Sequence, residues 1–453
     1  MRLKVLVVVI ILTLVAASLP FANAQDGASS GLPWWTACEE DLTGQTINFY
    51  HFGDLSARYA FITVPLVSGF TDAASYINAN GGLCGATIEQ VYEDTANEVE
   101  RAQASWDKFS AEEDAYSIFV YNSNDGELLR DQAGEQEIVL FNAAASEKAL
   151  YGEDGEPGWQ FSFIPLYTDQ LGAFCDYIAV PENREAVGLE GDPVIGHLSW
   201  PDAFGRSSAT PATEAYCESV GVQVVDTPQF FLPDTADLSP LVTALTEEGA
   251  NIIYTTTLAT GPANIAKTIK AMDMENPPMV AGVNWVLDTS VIGLGGEDAF
   301  GIVGNLPYLW WDELENPGIQ LITGQWVQNH FSQATDEAST RQALGLRNIA
   351  YLNAWASLDL WGEAYIRTMN RVGADGMSGA AFYETLQDFQ YDALQGILRV
   401  DWADGQRAGQ VTRIGAIQLV DRPDGTRAPG ILPLSDWLDA PDLRAIGGAD
   451  VPQ

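Results

Sequence analysis

Lysine is what this chain most lacks: Lys4, Lys108, Lys148, Lys267 and Lys270 are the only five in 453 residues. Arginine supplies the other basic side chains, and the 21 cations face 62 Asp and Glu for a formal charge of −41. Without a basic stripe to offset that field, phosphate backbones and anionic lipid head groups are repelled, and nucleic-acid binding is excluded. Histidine is nearly as scarce. His51, His197 and His330 lie far apart, outside any His-Glu-x-x-His or cysteine cluster, so no metal or other cofactor is expected. A Gly-x-Ser-x-Gly elbow is missing, and His197 and Ser199 are too close along one strand to face each other, so a catalytic triad is not supported. Gly293-Leu294-Gly295-Gly296 lacks the third glycine of a dinucleotide fingerprint and reads as a hinge-side loop.

Long apolar runs are missing beyond the first 24 residues. There, Arg2 and Lys4 precede the run Val5 to Ala17, and Ala22-Asn23-Ala24 offers a cleavage site before Gln25. The run is too short to span a bilayer of about 30 Å, so residues 1–24 read as a signal peptide and 25–43 as a polar leader. No cysteine follows the run, which argues against a lipid anchor. The expectation is an exported, soluble, monomeric protein without a membrane anchor, in a periplasm or outside the cell. Its acidity is a statement about solubility; adaptation to a saline exterior and genomic bias explain it equally well.

Cysteine is sparse too. Cys38, Cys84, Cys175 and Cys217 show no Cys-x-x-Cys spacing, so two structural disulfides are the default in an oxidising compartment. All three pairings remain open on sequence; Cys38 with Cys84 and Cys175 with Cys217 keeps each pair inside one predicted lobe.

What is present is a composition that folds, with 47% apolar and 18% charged residues over a length suited to two or three domains. Strand and helix signals alternate. Strands are read at 46–51, 88–92, 116–121 and 137–141, with helices at 60–80 and 98–109. The rhythm restarts after Tyr167, with helices at 170–179, 212–220, 238–248 and 263–272 between strands at 193–198, 222–226, 251–256 and 278–283. A strand at 299–306, helices at 318–331 and 348–368, and a strand at 415–420 precede a polar tail. Such alternation implies α/β architecture with parallel, doubly wound sheets.

Several segments together resemble the leucine/isoleucine/valine-binding family of type I periplasmic solute-binding proteins of ABC transporters. Ile77-Asn78-Ala79-Asn80-Gly81-Gly82-Leu83-Cys84-Gly85 is similar to that family's Ile-Asn-Ala-x-Gly-Gly-Ile-x-Gly turn, and Val91-Tyr92-Glu93-Asp94 to its Tyr-Asp-Asp segment. Trp200-Pro201-Asp202-Ala203-Phe204-Gly205, Gly221 to Val225 and Asp234 to Ser239 resemble later strand-end and helix-entry motifs, with Phe204 where a Tyr is usual. The resemblance covers roughly residues 44–420. It implies two Rossmann-like lobes joined by a three-crossover hinge, lobe 1 at 44–164 plus 286–395 and lobe 2 at 165–285 plus 396–437, with a tail at 438–453. It also implies a small-molecule solute trapped by hinge closure and delivered to an ABC transporter permease, without catalysis.

Open parallel sheets bind ligands beyond the carboxyl ends of their strands. The candidates there are Asp54 and Tyr59 in one loop, Asn122, Ser123 and Asn124 in a second, and Asn142, Ala143 and Ala144 in a third. Lobe 2 offers Trp200, Phe204, Thr257, Asn284 and Trp285. Asn, Asp and Ser also populate ordinary turns, which is the competing reading for each. The family's carboxylate-binding threonine is replaced by Ala145, and Thr255 to Ala263 contains no acid to meet an ammonium. The expected solute is a small polar compound, an amino acid, an amide, a urea-like or a related compound; these two departures from the family pattern count against an α-amino acid, and the Asn/Ser/Thr inventory suits a neutral polar solute held by hydrogen bonds. A secreted hydrolase or a sensory ligand-binding protein on the same fold is the alternative.

Overall fold

The computed structural model describes residues 31–143, 145–421 and 427–444. The expected signal peptide and the candidate Ala144 lie outside these described residues. Lobe 1 is built on a five-stranded parallel sheet of β1 (Thr46–Gly53), β2 (Thr87–Asp94), β3 (Ser117–Val120), β4 (Val139–Asn142) and β5 (Gln160–Ser162), in the order β2-β1-β3-β4-β5. All four residues of β4 are buried, as a strand covered on both faces requires. Helices α1 (Ala60–Ala79), α2 (Val99–Phe109) and α3 (Ser123–Glu135) follow the first three strands.

Helix α1 is apolar enough by composition to cross a membrane. Ten of its 20 residues are instead buried in lobe 1. Its partner is the helix Ile349–Val372, of which 20 residues are buried. The two close tightly at Gly69, where a Cβ would lie 2.7 Å from the Tyr351 carbonyl oxygen. Asp359 on the longer helix accepts the indole N–H groups of Trp34 and Trp35 at 2.8 Å each, tying the leader to the lobe.

The turn after α1 depends on glycine. Gly81 and Gly82 take φ of +105° and +72°, and a Cβ on Gly82 would sit 2.0 Å from the Ala86 carbonyl oxygen. Cys84 closes this turn through a disulfide to Cys38, and Cys175 bonds Cys217 in lobe 2, the pairing that keeps each bridge within a lobe.

Lobe 2 carries the larger sheet. Its strands are β6 (Val194–Ser199), β7 (Gln223–Val224), β8 (Gln229–Phe230), β9 (Ile252–Thr255), β10 (Met279–Gly282) and β11 (Val303–Asn305). A hairpin of β12 (Gln390–Ala393) and β13 (Leu398–Asp401) and the short strand β14 (Val411–Thr412) come next. The chain then adds β15 (Ile414–Asp421), β16 (Arg427–Pro433) and β17 (Leu438–Asp439). The path across the sheet is β16-β15-β11-β10-β9-β6-β7, with β15 antiparallel to β11 and β16.

Several expectations change. The lobe boundary expected after residue 285 cuts this sheet, because β11 pairs with β10 in parallel. The lobe boundary expected at 395/396 likewise splits the β12–β13 hairpin, and Trp402 beyond it packs on Phe161 of lobe 1 at 4.9 Å. A strand of three residues carries no mark of the sheet it will join. The residues after Asn122 form helix α3 rather than a loop, Thr289–Gly295 is a helix where a hinge-side loop was expected, and β16 and β17 occupy part of the polar tail.

Three strands of chain join the lobes side by side. Ser162 N–H donates to the Arg407 carbonyl at 2.6 Å and Gly409 N–H to Ile164 at 3.2 Å. Leu306 and Arg413 exchange backbone bonds of 2.7 and 3.2 Å. Arg413 is buried and held by Glu313 at 2.7 and 2.9 Å, which fixes the second and third crossovers to each other.

Candidate functional site

Where the lobes face each other, a cavity of about 40 Å³ lies at the carboxyl ends of β1, β3, β6, β9 and β10. Lobe 1 contributes Tyr59, Ile62 and Thr63 from the entry to α1, and Tyr121, Asn122 and Ser123 from the β3–α3 junction. Lobe 2 contributes Tyr167, Phe204, Leu258 and Trp285. Five of these ten side chains are aromatic, so the wall is chiefly ring surface.

The polar atoms of those rings are largely engaged elsewhere. Tyr59 donates its hydroxyl to Asp202 Oδ2 at 2.9 Å, and burial together with the Asp202 charge raises its pKa. Tyr121 is bonded through its hydroxyl to His51 Nδ1, while His51 Nε2 faces Gln90 Oε1 at 3.1 Å. Burial pushes the His51 imidazole down to about 3, so it is neutral, with Nε2 carrying the proton toward Gln90 and Nδ1 accepting from Tyr121. Trp285 donates its indole N–H to the Tyr167 hydroxyl at 3.0 Å.

Helix α3 begins at the cavity wall. Asn122 caps it, its side chain accepting from Asp125 N–H at 2.9 Å. Ser123, the first helical residue, is buried, and its Oγ makes no hydrogen bond among the described residues. Behind it, burial pushes the Asp125 carboxyl up to about 7, with Asn122 opposing and the Asp54 charge adding to the rise.

The lobes are latched beside the cavity. Arg58 of lobe 1 reaches Asp202 of lobe 2 at 3.2 Å and lies over the Trp200 ring, 4.7 Å from its centroid. Asn124 Oδ1 accepts the Ala203 N–H across the gap at 3.3 Å. With Tyr59, these contacts hold the two lobes closed on the cavity.

Of the sequence candidates, Tyr59, Asn122, Ser123, Phe204 and Trp285 are on the wall. The others are set back. Asp54 is fully buried and accepts the N–H groups of Ala57 and Tyr59, both at 2.7 Å, shaping the β1–α1 turn. Asn142 donates to the Asn122 carbonyl at 3.2 Å, Ala143 continues β4, and Thr257 is bonded to Thr255 at 2.9 Å. Asn284 gives its N–H to Gln170 at 2.8 Å, and Trp200 supports Tyr59 and Phe204 from behind at 6.1 Å each. Sequence reading missed Ile62, Thr63, Tyr121, Tyr167 and Leu258. Tyr121 ends an apolar strand signal and Tyr167 precedes a helix signal, so the available hint was an aromatic at a strand-to-helix junction.

Residues 46–421 match the family model described as periplasmic binding protein. No curated protein matches the sequence. Among solved structures, a branched chain amino acid ABC transporter protein from Thermus thermophilus with bound valine aligns with TM-score 0.73 and 17% identity, over 89% of this chain and 99% of its own. A fatty acid ABC transporter substrate-binding protein from Thermomonospora curvata gives 0.68 and 14%, over 92% and 98%. A solute-binding protein from R. palustris in complex with 4-hydroxybenzoate gives 0.66 and 14%, over 88% and 98%. At these identities the likeness shows the two-lobed fold.

Proposed function

The chain belongs to the periplasmic binding protein family, and on that premise we propose that it is the exported substrate-binding protein of an ABC importer. It captures a small solute between its lobes and hands it, chemically unchanged, to a membrane permease. The observation that carries this reading is a cavity walled jointly by both lobes, at the carboxyl ends of their strands, beside a polar latch that exists only when the lobes meet.

Mechanistically, solute meets the lobe 1 surface of Tyr59, Tyr121 and Ser123. Closure then adds Tyr167, Phe204 and Trp285 and forms the bonds to Asp202. A ligand shifts an equilibrium only by its differential affinity for the two states, and here the lobe 2 contacts supply the difference. The three crossovers bend while each sheet moves as a unit. The two disulfides suit the oxidising compartment implied by an exported chain.

The test is thermal unfolding of the mature protein against a solute panel, with small-angle scattering on each hit. Ligand at a hundred times its dissociation constant adds about 2.7 kcal/mol. A hit that compacts the protein and is recovered intact by mass spectrometry supports the receptor; a hit that is consumed refutes it in favour of an enzyme.

A further inference from the structure

On the receptor reading above, we infer that residues 437–444 form a strap across the hinge, laid beside the crossovers, that biases the lobes toward the closed state. The stretch matched to the family ends at residue 421, so the strap lies outside it. Its course, its two anchors and a glycine beneath it carry the inference.

The strap first follows the third crossover. β17 pairs antiparallel with β14, Leu438 opposite Thr412 and Asp439 opposite Val411. Ala440 N–H donates to the Gln410 carbonyl at 2.7 Å, and Asp442 accepts the Gln406 side-chain amide at 3.1 Å. Trp437 lies under the Arg413 guanidinium, its ring centroid 4.8 Å away. A crossover with a second strand bonded along it bends only by carrying that strand with it or shedding it.

The end of the strap then reaches both lobes. Leu443 is buried and gives its N–H to Asp169 at 3.0 Å, in the first turn of the lobe 2 helix α5 (Tyr167–Ala179). Tyr167, two residues before that acceptor, is on the cavity wall. Arg444, paired with Asp442 at 2.6 Å, lies 4.8 Å over the ring of Tyr151 in the lobe 1 helix α4 (Glu147–Tyr151). The Tyr151 hydroxyl in turn accepts the Arg407 N–H of the third crossover at 2.7 Å. Adjacent residues are thus anchored on opposite lobes. Rotation of the lobes moves α4 against α5, and Leu443 and Arg444 do not both stay seated.

Gly172 shows that the seat is built. Glycine inside a helix is less stable than alanine, and Gly172 stands in the middle of α5. A Cβ there would lie 2.4 Å from Pro441 Cγ and 3.0 Å from Leu443 Cδ1, and all three of its nearest atoms belong to the strap. The helix forgoes a side chain where the strap rests on it.

Two variants of the full chain test the inference. Gly172→Ala lifts the strap without altering one of its residues and favours the helix itself, while Arg444→Gln removes the lobe 1 anchor. Spin labels at Val64→Cys in lobe 1 and Ala236→Cys in lobe 2, both exposed positions, read the distance between lobes by double electron–electron resonance. The four native cysteines are paired and take no label. Each variant is measured as such and on an Asp202→Asn background that weakens the latch, with thermal unfolding to confirm that it is folded. The ratio of closed to open protein should fall at least twofold in both variants, about two- to fivefold being the worth of one cation–π contact. An unchanged ratio in either variant, or a shift toward the closed distance, overturns the strap and leaves the receptor intact, provided Asp202→Asn still separates the lobes. If Asp202→Asn also leaves the distance unchanged and no solute of the panel compacts the protein, the receptor reading falls with it.

Discussion

Replacing Tyr59 by Phe removes one hydroxyl from the latch and leaves the ring on the cavity wall. That hydroxyl donates to Asp202 across the cleft at 2.9 Å, alongside the Arg58 contact at 3.2 Å. The acceptor is a carboxylate, and hydrogen bonds to charged groups contribute about 1.5–3 kcal/mol. The Asp202 side chain keeps 15% of its surface in water, so the low end applies, about 1.5 kcal/mol. With the lobes apart both groups are hydrated, and the loss falls on the closed state alone. The ratio of closed to open protein should drop roughly tenfold. A ligand that binds the closed form should lose affinity by up to the same factor, the full amount if the closed state is the minor one in free protein.

Small-angle scattering with and without ligand reads the compaction, and calorimetry reads the dissociation constant. The specific partner is checked by repeating the change on an Asp202→Asn background, where removing the hydroxyl should cost little more. Compaction and affinity within twofold of the parent would refute the idea that this bond holds the lobes together. An equal loss on both backgrounds would show that the hydroxyl acts through some other group.

Three further outcomes follow from the fold and its charges. Cys175→Ser with Cys217→Ser opens a loop with a sequence separation of 42, and chain-entropy bookkeeping puts the loss at about 4 kcal/mol; thermal unfolding with and without reductant reads it, and an unchanged midpoint counts against a structural bridge. Asp125, pushed up to about 7, keeps a proton in the folded chain that the unfolded chain releases near pH 4. Stability should therefore fall as pH rises from about 4 to 7, by at most about 4 kcal/mol, and Asp125→Asn should flatten that window in denaturant titrations. The formal charge of −41 self-repels, and the Debye length shrinks from about 30 Å at 0.01 M salt to about 3 Å at 1 M; the unfolding midpoint should rise with sodium chloride, and a flat response would show that the acids are already neutralised locally.

Much of the architecture was legible because parallel strands buried on both faces read as short apolar runs. Val139 to Phe141 and Ile252 to Tyr254 are such runs, and the helices between them keep a buried stripe. Helix α3 escaped because Ser123 to Glu135 is polar almost throughout, with only Leu128 and Leu129 as large apolar residues. Its remaining signal was Asn122, spaced three residues before Asp125, whose backbone N–H it caps. The latch could not be read at all. Arg58 and Asp202 are 144 positions apart, and nothing local marks either as the other's partner.

The candidate site shows why strand-end polarity is an ambiguous signal. Where a strand passes into a helix, the first backbone N–H groups of that helix need acceptors before any solute is considered. Asn122 serves Asp125, Ser146 serves Ala149 and Asp202 serves Gly205, while Asp54 serves Ala57 and Tyr59 in the turn that leads into α1. The polar residues that sequence places at the cleft are thus largely committed to holding its edges. What is left facing inward is the residue type that makes no such demand, the aromatic ring. Tyr59 shows both roles in one side chain, its hydroxyl on Asp202 and its ring on the cavity. Closure and recognition are coupled at that residue, because whatever lies against the ring is held only as firmly as the hydroxyl holds the lobes.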